Sequence, residues 1–220
     1  MSLTLRHEAP ADHRAVETLV REAFWNVYKP GCDEHYYLHL LRQSPAFRPE
    51  LTFVCEVDGV LAGQIACASS SIEREAGGRL DTVTFGPLAV LPSFQGKGLA
   101  RALVCHALRQ AQALGEQAVV ILGDPRHYGR YGFWCGERWG IAVENGQYLP
   151  GLQALELVPG SLANAAGRFR EGFAYAPDVA ALDAFDAVFP VKEKVITDFQ
   201  QEFQVMCSLG HEVIPNGFMQ

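Results

Sequence analysis

Residues 85–101 read Phe-Gly-Pro-Leu-Ala-Val-Leu-Pro-Ser-Phe-Gln-Gly-Lys-Gly-Leu-Ala-Arg, with Gly96 and Gly98 flanking Lys97 just ahead of an amphipathic stretch. A loop entering a helix presents main-chain N–H groups that have no partner within the helix, and the helix dipole adds partial positive charge there. Glycine lets an anion approach the backbone closely, and Lys97 adds a point charge. The amides of Gln95, Gly96, Lys97, Gly98, Leu99 and Ala100 therefore form an expected cradle for a pyrophosphate. A P-loop needs G-x-x-x-x-G-K-[ST], which is absent. A dinucleotide fingerprint needs a third glycine where Arg101 stands, and five residues already separate Val90 from Gly96. A nucleotide-dependent oxidoreductase is thus the weaker reading.

The elements around this loop follow from hydrophobic spacing. Val16, Leu19, Val20, Ala23 and Phe24 make one stripe of a helix starting near Asp12. Pro30-Gly31 breaks the chain. A second, short helix carries Tyr37, Leu40 and Leu41 on one side and ends at Pro45 and Pro49. Strand-like runs 51–57 and 60–70 flank Asp58-Gly59, a type I′ hairpin signal. Ala76-Gly77-Gly78 turns into a strand over 80–90. Leu99, Leu103, Ala107, Leu108, Ala111 and Leu114 form the inner face of the helix after the loop, which Gly115 stops. The continuously apolar run 118–123 predicts a buried strand parallel to 80–90. Two more strands are expected at 139–144 and 153–158, then helices at 179–188 and 193–206, the second with Phe199, Phe203 and Met206 on one face.

The composition is that of an ordinary globular protein, 49% hydrophobic and 20% charged, and the net charge of −7 argues against nucleic acid as a partner. No apolar run is long enough to span a bilayer, and the opening residues lack a signal peptide's apolar centre. Six cysteines without a C-x-x-C pair read as reduced thiols. The expected location is cytoplasmic, without membrane association.

Gln95-x-x-Gly98-x-Ala100, after a strand ending Leu88-Ala89-Val90, resembles the Q/R-x-x-G-x-G/A signature of the GNAT acetyltransferases. The element order over 3–158 resembles theirs too. Pro30 to Tyr36 and Phe85-Gly86-Pro87 look like one branch of small bacterial members. The resemblance implies an α/β fold with a central, mostly antiparallel mixed sheet flanked by helices. It implies acetyl-coenzyme A as donor, no metal, and a small amine or peptide as acceptor. The strand Leu88-Ala89-Val90 would bind the pantetheine arm by offering main-chain groups of Leu88 and Val90. Residues 159–220 would be a helical extension that packs on the core, covers the acceptor cleft or builds a homodimer, with packing the default.

The same resemblance points to Tyr128, before Gly132-Phe133, as the acid that protonates the departing thiolate, with Tyr131 a lesser substitute. The position where several relatives place a glutamate base is Thr84, which cannot serve. Glu34, Asp33, His35, Asp81 and His127 are candidate bases, Glu34 slightly ahead, and deprotonation through water is an equal alternative. His35 and His39, spaced i and i+4, lack the other features of a metal motif. Cys135 lacks an activating base. Phe24, Trp25, Tyr28, Tyr36 and Tyr37 are expected mostly in the core, partly lining an acceptor pocket. The rival functions are an acyl-coenzyme A sensor of the same fold and an enzyme with a longer acyl donor.

Overall fold

A computed structural model describes residues 2–211. Strand β1 (Leu3–His7), which no apolar run announces, pairs antiparallel with β2 (Phe53–Val57) at one edge of the sheet. Between them lie α1 (His13–Phe24) and α2 (Glu34–Leu41). Val16, Leu19 and Val20 of α1 are at most 2% exposed, each stabilising the fold by about 1.5–3 kcal/mol. The inner side of α2 is His35, Leu38 and Leu41, which corrects the expected stripe. Tyr37 is partly buried, and Leu40 is not part of the core. The helix is wedged between α1 and the C-terminal region, so its buried face is rotated from the one that the apolar letters mark.

Asp58 and Gly59 have φ of 49° and 80°, the paired positive values of a type I′ turn, and join β2 to β3 (Val60–Arg74). Strand β4 (Arg79–Val90) returns antiparallel along β3. Helix α3 (Leu99–Ala113) crosses to β5 (Ala118–Leu122), which lies parallel to β4. The burial of α3 includes Val104, absent from the expected stripe, while Leu114 falls just past the helix and is 54% exposed. Phe53, Cys55 and Val57 pack with α3 on one side of the sheet. Val54, Ala66 and Ala89 pack with α1 and α2 on the other. Strand β5 is covered on both faces, which explains its unbroken apolar run.

The chain continues through α4 (Pro125–Tyr128), β6 (Trp134–Cys135), β7 (Ile141–Ala142) and β8 (Leu152–Glu156). Only Ile141 and Ala142 of the expected strand 139–144 are extended, because Gly136–Trp139 form a 3-10 turn. Strand β9 (Gly167–Glu171) was not foreseen. It pairs antiparallel with the far end of β3 and parallel with β7, a second parallel pair in the sheet. The central path runs β1-β2-β3-β4-β5-β8-β6.

Two helices follow, α5 (Val179–Asp186) and α6 (Asp198–Ser208), the latter starting later than its apolar spacing predicts. The Met206 side chain and residues 212–220 lie outside the described residues. The Arg21 guanidinium, 1% exposed, pairs with Asp186 of α5 at 2.6 Å, and His35 Nε2 meets the same carboxylate at 3.0 Å. The segment before α6 is tied down as well, since Trp25 Nε1 and Asn26 Nδ2 both donate to the Glu193 carbonyl. Among the described residues, no helix is long and apolar enough to cross a membrane.

Candidate active site

Strands β4 and β5 register at Val83↔Val119, and β4 then runs on to Val90 without a partner on that side. The cause is visible in the β3–β4 ladder. From Cys67↔Phe85 to Ile65↔Leu88, β4 uses one residue more than β3, a bulge at Gly86-Pro87. A bulge bends its strand, and here it turns β4 away from β5. The buried Gln64 side chain donates to the Pro87 carbonyl and holds the bulge. Leu91 N–H bonds Ala62 O, and strand polar groups alternate in direction, so Leu88 and Val90 face the open side while Ala89 faces β3. Ala89 is therefore a core residue whose main-chain groups are turned from the cleft.

The loop after β4 leads into α3 with Gly96 and Gly98 at φ of 72° and 83°. Among the described residues, no protein acceptor takes the N–H groups of Gly96 to Arg101, and Gly98 caps the helix without a side-chain bond. A Cβ built on either glycine meets nothing within 4 Å, so open space lies over these amides. Gln95 donates from Nε2 to the last carbonyl of β4, Val90 O, at 3.1 Å. Lys97 departs from expectation. Its ammonium folds onto Ser93 O at 2.9 Å and over the Phe94 ring, leaving Arg101 and Arg130 as the cations on the cavity wall nearby.

The gap between β4 and β5 opens into a cavity of about 1350 Å³. Asp124 starts α4 by accepting the Arg126 N–H, which sets Tyr128 one turn on. The Tyr128 ring packs against Phe85 and Phe133, at centroid distances of 5.7 and 6.0 Å. Burial, with Tyr28, Tyr131 and Asp124 nearby, raises its pKa, so the phenol keeps its proton at neutral pH. A Cβ on Gly123 would overlap the Tyr128 ring edge. Gly123→Ala should therefore displace the phenol and, if Tyr128 is the acid that the family resemblance implies, lower kcat by about tenfold or more. Steady-state kinetics beside coenzyme titration checks this, since the coenzyme affinity should hold.

Glu34, the first residue of α2, also lines the cavity. Burial raises its carboxyl to about 7, against hydrogen bonds from its own and the Asp33 N–H. The other candidate bases divide. Asp33 lines the cavity but is neutralised by Lys29 at 2.6 Å. His127 lines it too, stacked edge-on to Tyr128, with its pKa lowered chiefly by burial. Asp81 pairs with Arg79 on the surface, away from the cavity. His35 is fully buried, with Nδ1 3.6 Å from Cys32 Sγ and Nε2 on Asp186. Cys32 and His35 of this line are buried and burial pushes the thiol up, so the line joins α5 to the core rather than acting as a nucleophile. His39 is spent on Glu17 at 3.0 Å. Thr84 lines the cavity without acid–base capacity.

Residues 17–134 match the model of the acetyltransferase (GNAT) family. The chain belongs to this family. Its sequence is 32% identical over 131 residues to the uncharacterized N-acetyltransferase YhbS of Escherichia coli K12, spanning 60% of this chain and 73% of that protein. The crystal structure of YhbS in complex with CoA superposes with a TM-score of 0.68 at 28% identity, covering 77% of this chain and 89% of the other. A GNAT acetyltransferase from Brucella melitensis in complex with acetyl-CoA gives 0.57 at 27% identity, over 72% and 90%. The protein is thus an acyltransferase with the GNAT fold, and the oxidoreductase and sensor alternatives find no support.

Several residues of this GNAT cavity escape sequence reasoning. Glu171 at the end of β9 and Phe199, Phe203 and Cys207 of α6 all line it, and all lie outside the family-matched stretch. Phe24, Tyr28 and Tyr37 line the cavity, whereas Trp25 and Tyr36 pack against the C-terminal region. No local pattern marks Glu171, because its place depends on β9 pairing with β3 across the sheet.

Proposed function

We propose that this acyltransferase moves an acetyl group from acetyl-coenzyme A directly to a primary amine of a small molecule or peptide. One observation carries the reading: a single cavity is lined by uncapped helix-start amides, the free edge of β4, a protonated phenol and a carboxylate poised near neutrality. The CoA and acetyl-CoA complexes of its structural relatives support the donor. The fit is physical, since exposed N–H groups beside two arginines suit a pyrophosphate and an unpaired strand edge suits amides.

When bound, acetyl-coenzyme A supplies an acetyl thioester. The amides of Gly96 to Ala100 would hold its phosphates, the expected Gln95 N–H being taken by Pro92 O, and Leu88 with the Val90 N–H would hold its pantetheine arm, the Val90 carbonyl being taken by Gln95 Nε2. Glu34 would take a proton from the arriving ammonium, directly or through water, so that nitrogen has a free electron pair. Glu34 would pass that proton on to solvent, and as the C–N bond forms and the C–S bond breaks, the nitrogen's surplus proton would leave to the freed carboxylate or to water. Tyr128 gives its proton to sulfur and recovers one from solvent. Six free thiols fit a reducing compartment, and we place the enzyme in the cytoplasm.

Because a base works deprotonated, kcat/KM should climb about tenfold per pH unit below about 7 and level off above it, until the acceptor's own ionisation enters. In Glu34→Gln the inflection near 7 should vanish. Thiol release followed across pH checks both curves, and an unchanged inflection would transfer the role of base to water or His127.

A further inference from the structure

The part of the cavity that holds Tyr28 and Glu34 has a chemistry of its own. Tyr28 stands there with Phe203 at 4.3 Å and Phe199 at 6.1 Å between ring centroids. Phe24 adds a third ring against Tyr28 at 5.9 Å. Helix α6 is seated by Gln200, 3% exposed, whose Nε2 donates to Asn26 O and Val195 O. The rings are thus held on the same loop that leads into Glu34.

Charge is distributed unevenly around this wall. Lys29 is consumed by Asp33. Among the described residues, Glu34 and Glu171 have no ion-pair partner, and both line the cavity. Arg101 and Arg130 belong to the elements beside the phosphate cradle, α3 and the turn after α4. An acceptor carrying its own carboxylate would face two unpaired carboxylates beside Lys29, a cation already paired with Asp33.

We propose that the acceptor is a small monoamine with an aromatic or ring-sized apolar body, seated against Tyr28, Phe199 and Phe203 with its ammonium group toward Glu34 and Glu171. This rests on the acetyl-transfer reading and narrows it. Aromatic faces hold both an apolar ring and an adjacent cation, and carboxylates attract the protonated amine before the base neutralises it. Phe199, Phe203 and Glu171 are then specificity residues supplied by the C-terminal region.

The test is thiol release from acetyl-coenzyme A with 2-phenylethylamine, spermidine, alanine and a short lysine peptide, alongside calorimetric titration of coenzyme. We expect kcat/KM for 2-phenylethylamine to exceed the others by about 100-fold, the size of discrimination a well-filled apolar pocket reaches. Phe203→Ala should cut that value by about tenfold, mainly through KM, lower the values for the poorer substrates by less, and leave coenzyme affinity unchanged. Glu171→Gln, a surface change that keeps the fold, should raise KM for the amine. Preference for spermidine, alanine or the peptide, or an equal fall for every amine in Phe203→Ala, overturns this inference alone. Coenzyme binding with no transfer to any amine overturns the acetyl-transfer reading and this one with it.

Discussion

Gly98→Glu should weaken coenzyme binding by about 1,000-fold or more while the protein stays folded. Gly98 has a φ of 83°, and a Cβ there points into open space above the uncapped amides. The side chain would put a negative charge where the phosphates are proposed to sit. Two like charges about 4 Å apart near a surface repel by roughly 4 kcal/mol, and about 1.4 kcal/mol is a factor of ten. Left-handed backbone adds a strain of about 1–2 kcal/mol for any side chain. Gly98→Ala separates the two effects, because it carries the strain without the charge and should lose about tenfold. Calorimetric titration of both variants measures the difference, and equal affinity in the glutamate variant and the wild type would rule out a phosphate cradle at this loop.

Tyr128→Phe should lower kcat by about 100- to 1,000-fold at unchanged coenzyme affinity, the usual contribution of a positioned proton donor. The substitution leaves the ring contacts with Phe85 and Phe133 intact. The hydroxyl has no hydrogen-bond partner among the described residues, so its removal should hardly change stability. Pre-steady-state kinetics would assign the loss to the transfer step. A variant with full turnover would reduce Tyr128 to a packing residue and leave Tyr131 or water as the proton source.

How much of this could be read beforehand depends on how local each feature is. The Asp58-Gly59 hairpin, the start of α3 at Leu99 and its stop at Gly115 are written within a few residues, because positive φ and capping are local demands. The buried run of β5 is legible for the same reason. Strand β9 is five residues long with two buried positions, Gly167 and Phe169, too short a pattern to stand out. The true face of α2 depends on Asp186, 151 residues away from His35. In the site, the glycine loop ahead of α3 and Tyr128 are marked by short motifs. Glu34 emerged among several acids, and the structure separates it by burial and by the partners that occupy Asp33, Asp81 and His35. Glu171, Phe199 and Phe203 reach the cavity by long-range pairing and docking, which no periodicity encodes.

The fastening of α5 to α1 limits how this enzyme can diversify. With Arg21 sealed against Asp186, exchanging the tail for an unrelated one would strand a cation inside the protein, a loss of about 3–5 kcal/mol and a large part of a typical domain's margin. With the proposed acceptor wall on α6, new acceptors would be reached more readily by point changes at its cavity-lining residues than by shuffling whole segments, so descendants with different tastes should share the same bolt.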